Sequence, residues 1–255
     1  MKKLILLAVF TIVIFACKDK TKQNEEALIE VKEEVEVKTE SEWITLFDGT
    51  NFDNWRGYLT DEMYPEWTIE DGAMLFTPSE KGGKNIITKD TYTNFVLSLE
   101  WKISEGGNSG IFYGVYEDEK FNEAYQTGPE IQVLDNERHP DAKANPKFHQ
   151  AGALYDLVQP EQDVCKPAGE WNICVLSVNH ETNQGSVTLN GTEIVKFPVH
   201  GEEWDALVEN SKFKDWEGFG KHQTGHIGLQ DHSDKVWFKN IKIKNFLVHD
   251  KNTTH

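Results

Sequence analysis

Short stretches of β-type alternation constrain this chain more than any other feature. In residues 95–103, FVLSLEWKI, every second side chain is apolar, so an extended strand would bury one face and expose the other. Similar runs recur after residue 42, separated by turn-forming clusters. Asn190-Gly191 is the strongest hairpin signal among these clusters. Without an internal repeat or a long amphipathic helix, the pattern predicts an all-β sandwich.

The first 17 residues have the pattern of a secretory signal. A positive start precedes an apolar run over residues 4–15, and Ala16-Cys17 closes it. The run is too short for a membrane-spanning helix. A cysteine directly after a small residue resembles a bacterial lipobox, which predicts a lipid on Cys17 and a lipid-anchored protein of the bacterial cell envelope, facing the periplasm or exposed on the outer membrane. The alternative is an ordinary signal peptide with an incidental cysteine.

Residues 18–42 are predicted to be a tether. They include nine acidic residues and five lysines but no aromatic residue, glycine or proline, so they cannot bury enough apolar surface to offset the entropy of ordering. The stretch from residue 43 to residue 248 suits one domain with a substantial core.

The charge of the chain excludes several partners. The formal net charge is −17, and about −15 remains for the rest of the chain once signal and tether are set aside. Nucleic acid and anionic membrane surfaces are therefore excluded, and membrane contact is expected only through the lipid. Eight tryptophans without excess positive charge suit an oligosaccharide or glycoside, although about half should fill the core. Cys165 and Cys174 could form a disulfide or stay separate thiols.

Two local features are predicted near the C-terminal end. Residues 226–243 are expected to form a hairpin that turns at Ser233-Asp234, with a β-bulge at Lys239-Asn240, where the apolar alternation slips by one residue. Two long irregular segments, residues 140–150 and 202–221, are expected to wall a site.

An unusual selection of polar residues lies on the outward faces of the predicted strands. Strand parity puts His226, Gly228 and Gln230 on one face, and Glu130 and Gln132 share a face in their own strand. Solvated β faces normally carry Lys, Thr, Glu and Ser. A glycine beside amide and imidazole groups indicates a surface that a ligand approaches closely.

Residues 149–157 are predicted to be a further strand with the same arrangement of polar and small residues. His149, Ala151, Ala153 and Tyr155 would share a face, and alanine leaves room between the larger side chains. For any one residue, a polar outer face is a sufficient explanation. For the whole set a concave binding site is favoured.

Several chemistries lack support in the sequence. There is no G-x-S-x-G nucleophile elbow, no H-E-x-x-H zinc motif, and no phosphate loop or dinucleotide fingerprint. We therefore assign no metal ligand and no cofactor. A requirement for a divalent cation cannot be read from the sequence.

Short motifs run in a fixed order through residues 43–246. They are Phe47-Asp48-Gly49 with Trp55, then WTIEDG at 67–72, NSGI at 108–111, EIQVLD at 130–135, GALY at 152–155, GEWN at 169–172, LNG at 189–191 and GHIGLQDH at 225–232. Together they resemble the 3-keto-disaccharide hydrolase family. One departure is Gly114, where the family pattern carries a basic residue.

The resemblance implies a concanavalin A-like jelly roll of two curved antiparallel sheets with ligand on the concave side. It also implies substrates whose glucosyl 3-hydroxyl has been oxidised to a ketone. Such a ketone acidifies the C2 hydrogen, so a base can remove it and the C1 substituent can leave by elimination, with net hydrolysis after water adds. We expect Glu130 and His149 to be the acid/base pair, with His232, held by Asp231, in support. The expected substrate-binding residues are Asn108, Tyr113, Gln132, Asp135, Tyr155, Gln230 and Asp231.

Two alternatives stay open at this point. Direct hydrolysis could use a carboxylate pair such as Glu130 and Asp135, although their opposite strand parity argues against it. The domain could also be a non-catalytic, lectin-like carbohydrate-binding module, since this fold does not decide function. A lectin has little use for two histidines and a glutamate that converge, which favours an enzyme.

Overall fold

The structure is a computed structural model and describes residues 41–79 and 83–246. The predicted signal and its lipidation site at Cys17, and almost all of the predicted tether, lie outside the described residues. Within them no helix is long and apolar enough to span a bilayer.

The described residues form thirteen β-strands and little helix. The strands are β1 Ile44–Phe47, β2 Trp55–Gly57, β3 Trp67–Glu70, β4 Ala73–Phe76, β5 Ile86–Thr88, β6 Phe95–Ile103, β7 Asn108–Val115, β8 Glu130–Leu134, β9 Asn172–Asn179, β10 Gln184–Leu189, β11 Thr192–Phe197, β12 His226–Leu229 and β13 Val236–Asn245. The helices are a 3₁₀ turn at Ala124–Gln126, α1 at Asp141–Ala144 and α2 at Gly201–Glu209.

The strands build two antiparallel sheets. One has eight strands in the order β11-β10-β9-β6-β13-β4-β3, with β1 also paired to β13, and the other has five in the order β2-β5-β12-β7-β8. Alternate apolar side chains of both sheets meet in one core, among them Leu97 and Trp101 of the large sheet and Ile131 and Leu229 of the small one. This arrangement confirms the predicted all-β class and the two-sheet sandwich.

Two sequence signals of strand geometry are confirmed. Asn190 and Gly191 have φ values of 51° and 85° and join β10 to β11, as a two-residue hairpin turn requires. The register of β13 against β6 shifts between Lys239 and Lys242, and Asn240 has φ 51°, which places a bulge at the predicted site.

The predicted hairpin over residues 226–243 is wrong. β12 pairs with β5 and β7 in the small sheet, whereas β13 pairs with β4, β6 and β1 in the large one. Ser233, with φ 62°, and Asp234 form the crossing between sheets. The Asp234 carboxylate accepts a hydrogen bond from the backbone N–H of Asn108 at 3.1 Å, so this crossing also fixes the start of β7.

Residues 149–157 are turns and not a strand. Gly152 and Asp156 adopt φ values of 83° and 60°, which interrupt any extended alternation. The segment instead follows the free edge of β8 through backbone hydrogen bonds, including Tyr155 N to Glu130 O at 2.9 Å and Gly152 N to Gln132 O at 2.8 Å. It therefore covers the edge of the small sheet and delivers Tyr155 next to Glu130.

The two predicted loops contain helix, α1 in the first and α2 in the second. Cys165 and Cys174 are free cysteines, and Cys174 lies in β9 with its side chain in the core.

Candidate active site

The outward face of the small sheet provides the floor of the site. Glu130 and Gln132 of β8 alternate with core residues, and Gly110 of β7 lies opposite Gln132 in register. An ideal Cβ on Gly110 would overlap Glu130 Oε1 and lie 2.6 Å from its Cδ. The absence of a side chain at Gly110 is thus what lets the Glu130 carboxylate lie across β7.

A cavity of about 250 Å³ opens above this floor. Its floor includes Asn108, Glu130, Gln132 and Gln230. Loops supply the rest of the lining: Tyr125, Gly128, Tyr155, Lys212, Phe213, Trp216, Phe219 and His232. The cavity thus brings together Glu130, Gln132 and Gln230, as strand parity predicts. It also includes Tyr155, although Tyr155 arrives from a turn and not from the predicted strand, and it does not include His149.

The loop after α2 forms an aromatic wall. Phe213 stacks on Phe219 with ring centroids 3.9 Å apart and meets Trp216 edge-on at 5.0 Å, while Trp216 lies 5.8 Å from Tyr125. Mutually packed rings lose little conformational freedom on binding, and their faces suit the C–H surface of a sugar. This wall covers the polar floor, so the outward face of the small sheet becomes the bottom of a cavity.

Glu130 is the electrostatically unusual group of the cavity. The residue as a whole is partly exposed, but its carboxyl group points away from water, and this burial raises the pKa of the group to about 8. The Lys212 ammonium opposes that rise, and Asp141 adds to it. Among the described residues no side chain or backbone group donates a hydrogen bond to this carboxylate. A buried carboxyl group with a pKa near neutrality and free lone pairs is suited to act as a general base.

Amide groups surround this carboxylate with unused hydrogen-bonding capacity. The side-chain oxygens of Asn108 and Gln230 are buried and have no partner within the described part of the chain. Gln132 Oε1 accepts from the backbone N–H of Val133 at 3.2 Å, which turns its amide nitrogen away from that bond. Since buried polar groups are normally paired, these amides are arranged for a polar ligand.

His232 lines the cavity, but Asp231 does not hold it. His232 Nε2 lies 3.3 Å from Asn108 Nδ2, whereas the Asp231 carboxylate accepts the backbone N–H of Lys84 at 3.0 Å. The expected Asp231–His232 pair is therefore wrong, and Asp231 is not among the residues that line the cavity. β12 ends at Leu229, and His232 lies in the turn that follows, so strand parity does not describe this pair.

His149 lies behind the cavity, which corrects its expected place beside Glu130. Its Nδ1 is 2.7 Å from Asp141 Oδ1 and its Nε2 is 3.0 Å from Asp156 Oδ1. Its ring stacks on Tyr155 at 4.3 Å. Both ring nitrogens are occupied by carboxylates, so His149 has no nitrogen free to accept a substrate proton and instead supports Tyr155 from behind.

Tyr113 and Asp135 also do not reach the cavity. Tyr113 points between the sheets, where it packs against Phe197 and its hydroxyl has no described partner. Asp135 accepts hydrogen bonds from the backbone of Gly106 at 2.7 Å and from Arg138 Nη1 at 3.2 Å. Its carboxylate closes a turn, which contradicts both its expected binding role and a Glu130–Asp135 hydrolytic pair.

The sequence interpretation missed Lys212 and the aromatic residues of the wall. Their loop was expected to wall a site, and its sequence FKDWEGF at 213–219 places three aromatic residues in seven positions. That density was the available signal. Which of these rings face the cavity depends on the irregular backbone after α2, which no periodicity describes.

The backbone conformation at Gly114 accounts for the absence of the family's basic residue at this position. Its φ is 62°, and a Cβ there would lie 2.9 Å from the backbone oxygen of His222. A side chain at this position would require a different backbone, so the basic residue of the pattern has no direct equivalent in this structure.

A second cleft differs from the cavity in chemistry. It measures about 690 Å³ and lies at the β10–β11 end of the large sheet. Its ionisable side chains, Glu193, Lys196 and Glu203, are exposed, and it contains none of the predicted site residues. The smaller cavity therefore combines enclosure with perturbed ionisation, and the larger cleft does not.

Comparisons with known proteins identify the family that this chain resembles over most of its length. A family model described as 3-keto-alpha-glucoside-1,2-lyase-like domain matches residues 42–244. A Bacteroides thetaiotaomicron protein named 3-keto-disaccharide hydrolase is 38% identical over 229 residues, which cover 79% of this chain and 78% of that protein. A crystal structure of a candidate glycosyl hydrolase from Parabacteroides distasonis superposes with a TM-score of 0.74 at 30% identity, covering 80% of this chain and 94% of that one. A second from the same organism gives 0.59 at 28% identity, covering 80% and 98%.

Proposed function

The chain belongs to the 3-keto-alpha-glucoside-1,2-lyase-like domain family, and from this membership and the cavity we propose that it cleaves glycosides whose glucosyl unit carries a ketone at C3. The observation that carries the proposal is Glu130, a buried carboxyl group with its pKa raised to about 8 and no hydrogen-bond partner among the described residues, at the floor of a cavity rich in amides.

The chemistry begins at C2 of the substrate. The Glu130 carboxylate takes the C2 proton, the C–H electron pair forms a C2–C3 double bond, and the carbonyl electrons move to the C3 oxygen. When the carbonyl re-forms, a C1–C2 double bond replaces the C1–O bond and the leaving oxygen takes a proton. His232, which lines the cavity, is our candidate donor of that proton. Addition of water to the C1–C2 double bond then completes a net hydrolysis.

The remaining polar groups bind the sugar. The Asn108 and Gln230 oxygens, which lack described partners, would accept hydrogen bonds from sugar hydroxyls, and the Gln132 amide nitrogen would donate to an oxygen. The cavity volume of about 250 Å³ suits one sugar ring, with the leaving group toward the aromatic wall.

The experiment that tests this function compares 3-keto-glycosides with their unoxidised parents. Purified protein should release the aglycone only from the oxidised compounds, and parallel assays with a chelator measure whether a divalent cation is required. In D₂O, elimination followed by hydration incorporates deuterium at C2, whereas direct displacement at C1 does not. Tight calorimetric binding of both sugar classes without turnover of either would instead support the lectin-like alternative.

We further infer that the protein is an envelope lipoprotein. The support is the sequence of residues 1–17, with Cys17 directly after a small residue, followed by an acidic tether. Labelling of the cells with a radioactive fatty acid should mark the wild-type chain and fail to mark Cys17→Ser. An unlabelled wild type would contradict the lipid anchor while leaving the catalytic proposal intact.

A further inference from the structure

Lys212 is the charged side chain that the loop after α2 contributes to the cavity lining. Its Nζ lies over the Tyr155 ring, 4.1 Å from the centroid, and 5.2 Å from the centroid of Phe213. Its backbone N–H donates to Asp156 Oδ2 at 2.9 Å. Both the main chain and the ammonium group of Lys212 are thus held in place, although the residue as a whole is exposed.

A buried network behind the cavity supplies both of these contacts. Asp156 accepts from Lys212 through one carboxylate oxygen and contacts His149 through the other. Burial would raise the pKa of Asp156, but the hydrogen bonds from Lys212 and His149 outweigh burial and lower it. On the other side of His149, Asp141 accepts the Tyr155 hydroxyl at 3.0 Å. Asp141, His149 and Asp156 therefore form one hydrogen-bonded network. It holds in place the Tyr155 ring and the Asp156 carboxylate, which are the two groups that contact Lys212.

We propose that Lys212 is a catalytic residue of this site, whose ammonium group stabilises the negative charge that develops on the C3 oxygen when Glu130 removes the C2 proton. The proposal rests on the proposed function. A positive charge that is already held beside the reacting group stabilises such an oxyanion more than a mobile surface lysine does, because it needs no reorganisation at the moment of reaction. Asp141, His149 and Asp156 are positioning residues that act through Tyr155 and the Lys212 main chain.

Lys212 and Glu130 act on each other from different elements. Glu130 lies on β8, and the charged groups that act on its ionisation are Lys212 from the loop after α2 and Asp141 from α1. The other titratable groups of the cavity lining are Tyr155 from the turn along the β8 edge, Tyr125 from the 3₁₀ turn and His232 from the crossing after β12. The lysine favours the ionised carboxylate and Asp141 disfavours it. Removal of the ammonium group would therefore make Glu130 harder to ionise, a consequence that a purely structural lysine would not have.

The test uses the full-length protein and three variants. Lys212→Gln should lower kcat on a 3-keto-glucoside by about 10²-fold with little change in KM, because the lost interaction is made mainly in the transition state. Lys212→Arg should recover much of that loss. Lys214→Gln, which alters an exposed lysine of the same loop, should behave as wild type. A Lys212→Gln variant that is folded and keeps kcat within about twofold would overturn the proposal.

A measurement without substrate separates this proposal from the proposed function. With ¹³C-labelled glutamate, NMR should report a Glu130 titration midpoint that is higher in Lys212→Gln than in wild type and unchanged in Lys212→Arg. If the wild type fails to cleave any 3-keto-glucoside, the proposed function fails. If the wild type is active but the Glu130 midpoint does not move in Lys212→Gln, the link between Lys212 and Glu130 is wrong.

Discussion

The outer faces of the two sheets share the same alternation but differ in what covers them. On the large sheet, Glu100 pairs with Lys239 at 3.4 Å, and Lys102 lies 4.4 Å from the centre of the Trp237 ring, all at partly accessible positions. On the small sheet, Glu130 has no hydrogen-bond partner among the described residues and lies under an aromatic wall. The glutamate on the solvated face is paired with a lysine, whereas burial raises the pKa of the glutamate on the covered face.

The two faces differ in the loops that cover them and not in the polarity of their residues, so the covering loops distinguish the functional face. Both faces carry carboxylates and lysines above aromatic rings, since Lys212 lies over Tyr155 much as Lys102 lies over Trp237. Within the described residues, loops cover a carboxylate and leave buried amide oxygens unpaired only on the small sheet, whereas Lys212 itself stays exposed. Burial makes electrostatic interactions stronger and their loss more costly.

The largest expected effect comes from removing the carboxylate of the covered face. Glu130→Gln should reduce kcat/KM on a 3-keto-glucoside by about 10³-fold, within the range of general-base catalysis. Glu100→Gln, the matched change on the solvated face, should leave kcat/KM unchanged. Steady-state assays of both variants measure the contrast. Equal activities in the two variants would remove Glu130 from the mechanism.

The next largest effect is expected at Gly110, which leaves space for the Glu130 carboxylate. Gly110→Ala should push the Glu130 carboxylate aside and lower kcat by about 10²-fold, because a misplaced catalytic group is ineffective. Gly185→Ala on the large sheet would instead crowd the Phe197 ring. That control should lower the melting temperature while the activity per folded molecule is retained. Calorimetry together with kinetics distinguishes these results.

The pH profile follows from the raised pKa of Glu130. The base must be ionised, so kcat/KM should fall about tenfold for each pH unit below a midpoint of about 8. Between the ordinary glutamate pKa and that midpoint, the folded state binds more protons than the unfolded chain, so this carboxyl group lowers stability as pH rises. Glu130→Gln should therefore melt higher than wild type at pH 9. A wild-type acid limb near the ordinary glutamate pKa would contradict the assignment.

His149 tests whether the network behind the covered face is structural. His149→Gln should cost about 3 kcal/mol of unfolding free energy, because two carboxylates lose a buried partner. Its kcat should fall only about tenfold through misplaced Tyr155 and Lys212. Denaturant unfolding and kinetics on the same preparation measure both, with His222→Gln, at a partly exposed position stacked on Tyr116, as control. A loss as large as that of Glu130→Gln with unchanged stability would restore His149 as an acid or base.

The smallest effect is expected on the solvated face. Lys102→Gln removes a cation above Trp237 and should cost only about 0.5–1 kcal/mol, with no change in kinetics. In our proposal the identical substitution at Lys212 changes catalysis, so the pair measures what a position in the cavity lining adds to a lysine above an aromatic ring. Thermal unfolding of both variants in low salt supplies the comparison.

Local rules were sufficient wherever the determinant was local. Strand parity placed Glu130 and Gln132 outward, the Asn190-Gly191 dipeptide fixed a hairpin, and the slip of alternation located the bulge beside Asn240. Each of these features depends only on neighbours within a few residues along the chain, so the sequence alone is enough to predict it. The all-β class followed from features of this kind, and the family followed from the resemblance of the ordered short motifs.

Contacts between distant segments required the tertiary structure. Turn residues at Ser233-Asp234 are compatible with a hairpin or with a crossing between sheets, and the pairing partners of β12 and β13 decide between them. His149 was misplaced because positive φ angles along its segment replace the expected alternation with turns.

By itself, the sequence determined the sandwich, the Asn190-Gly191 hairpin and the outward direction of Glu130 and Gln132, since period-two geometry and glycine conformations act over a few residues. Only the tertiary structure decided that one polar face is covered and the other is not. The covering loop carries Lys212 and Phe213, far along the chain from Glu130. Because burial sets the pKa of Glu130 and a long irregular loop sets the burial, the chemistry of the site arises from packing between distant segments that no local pattern encodes.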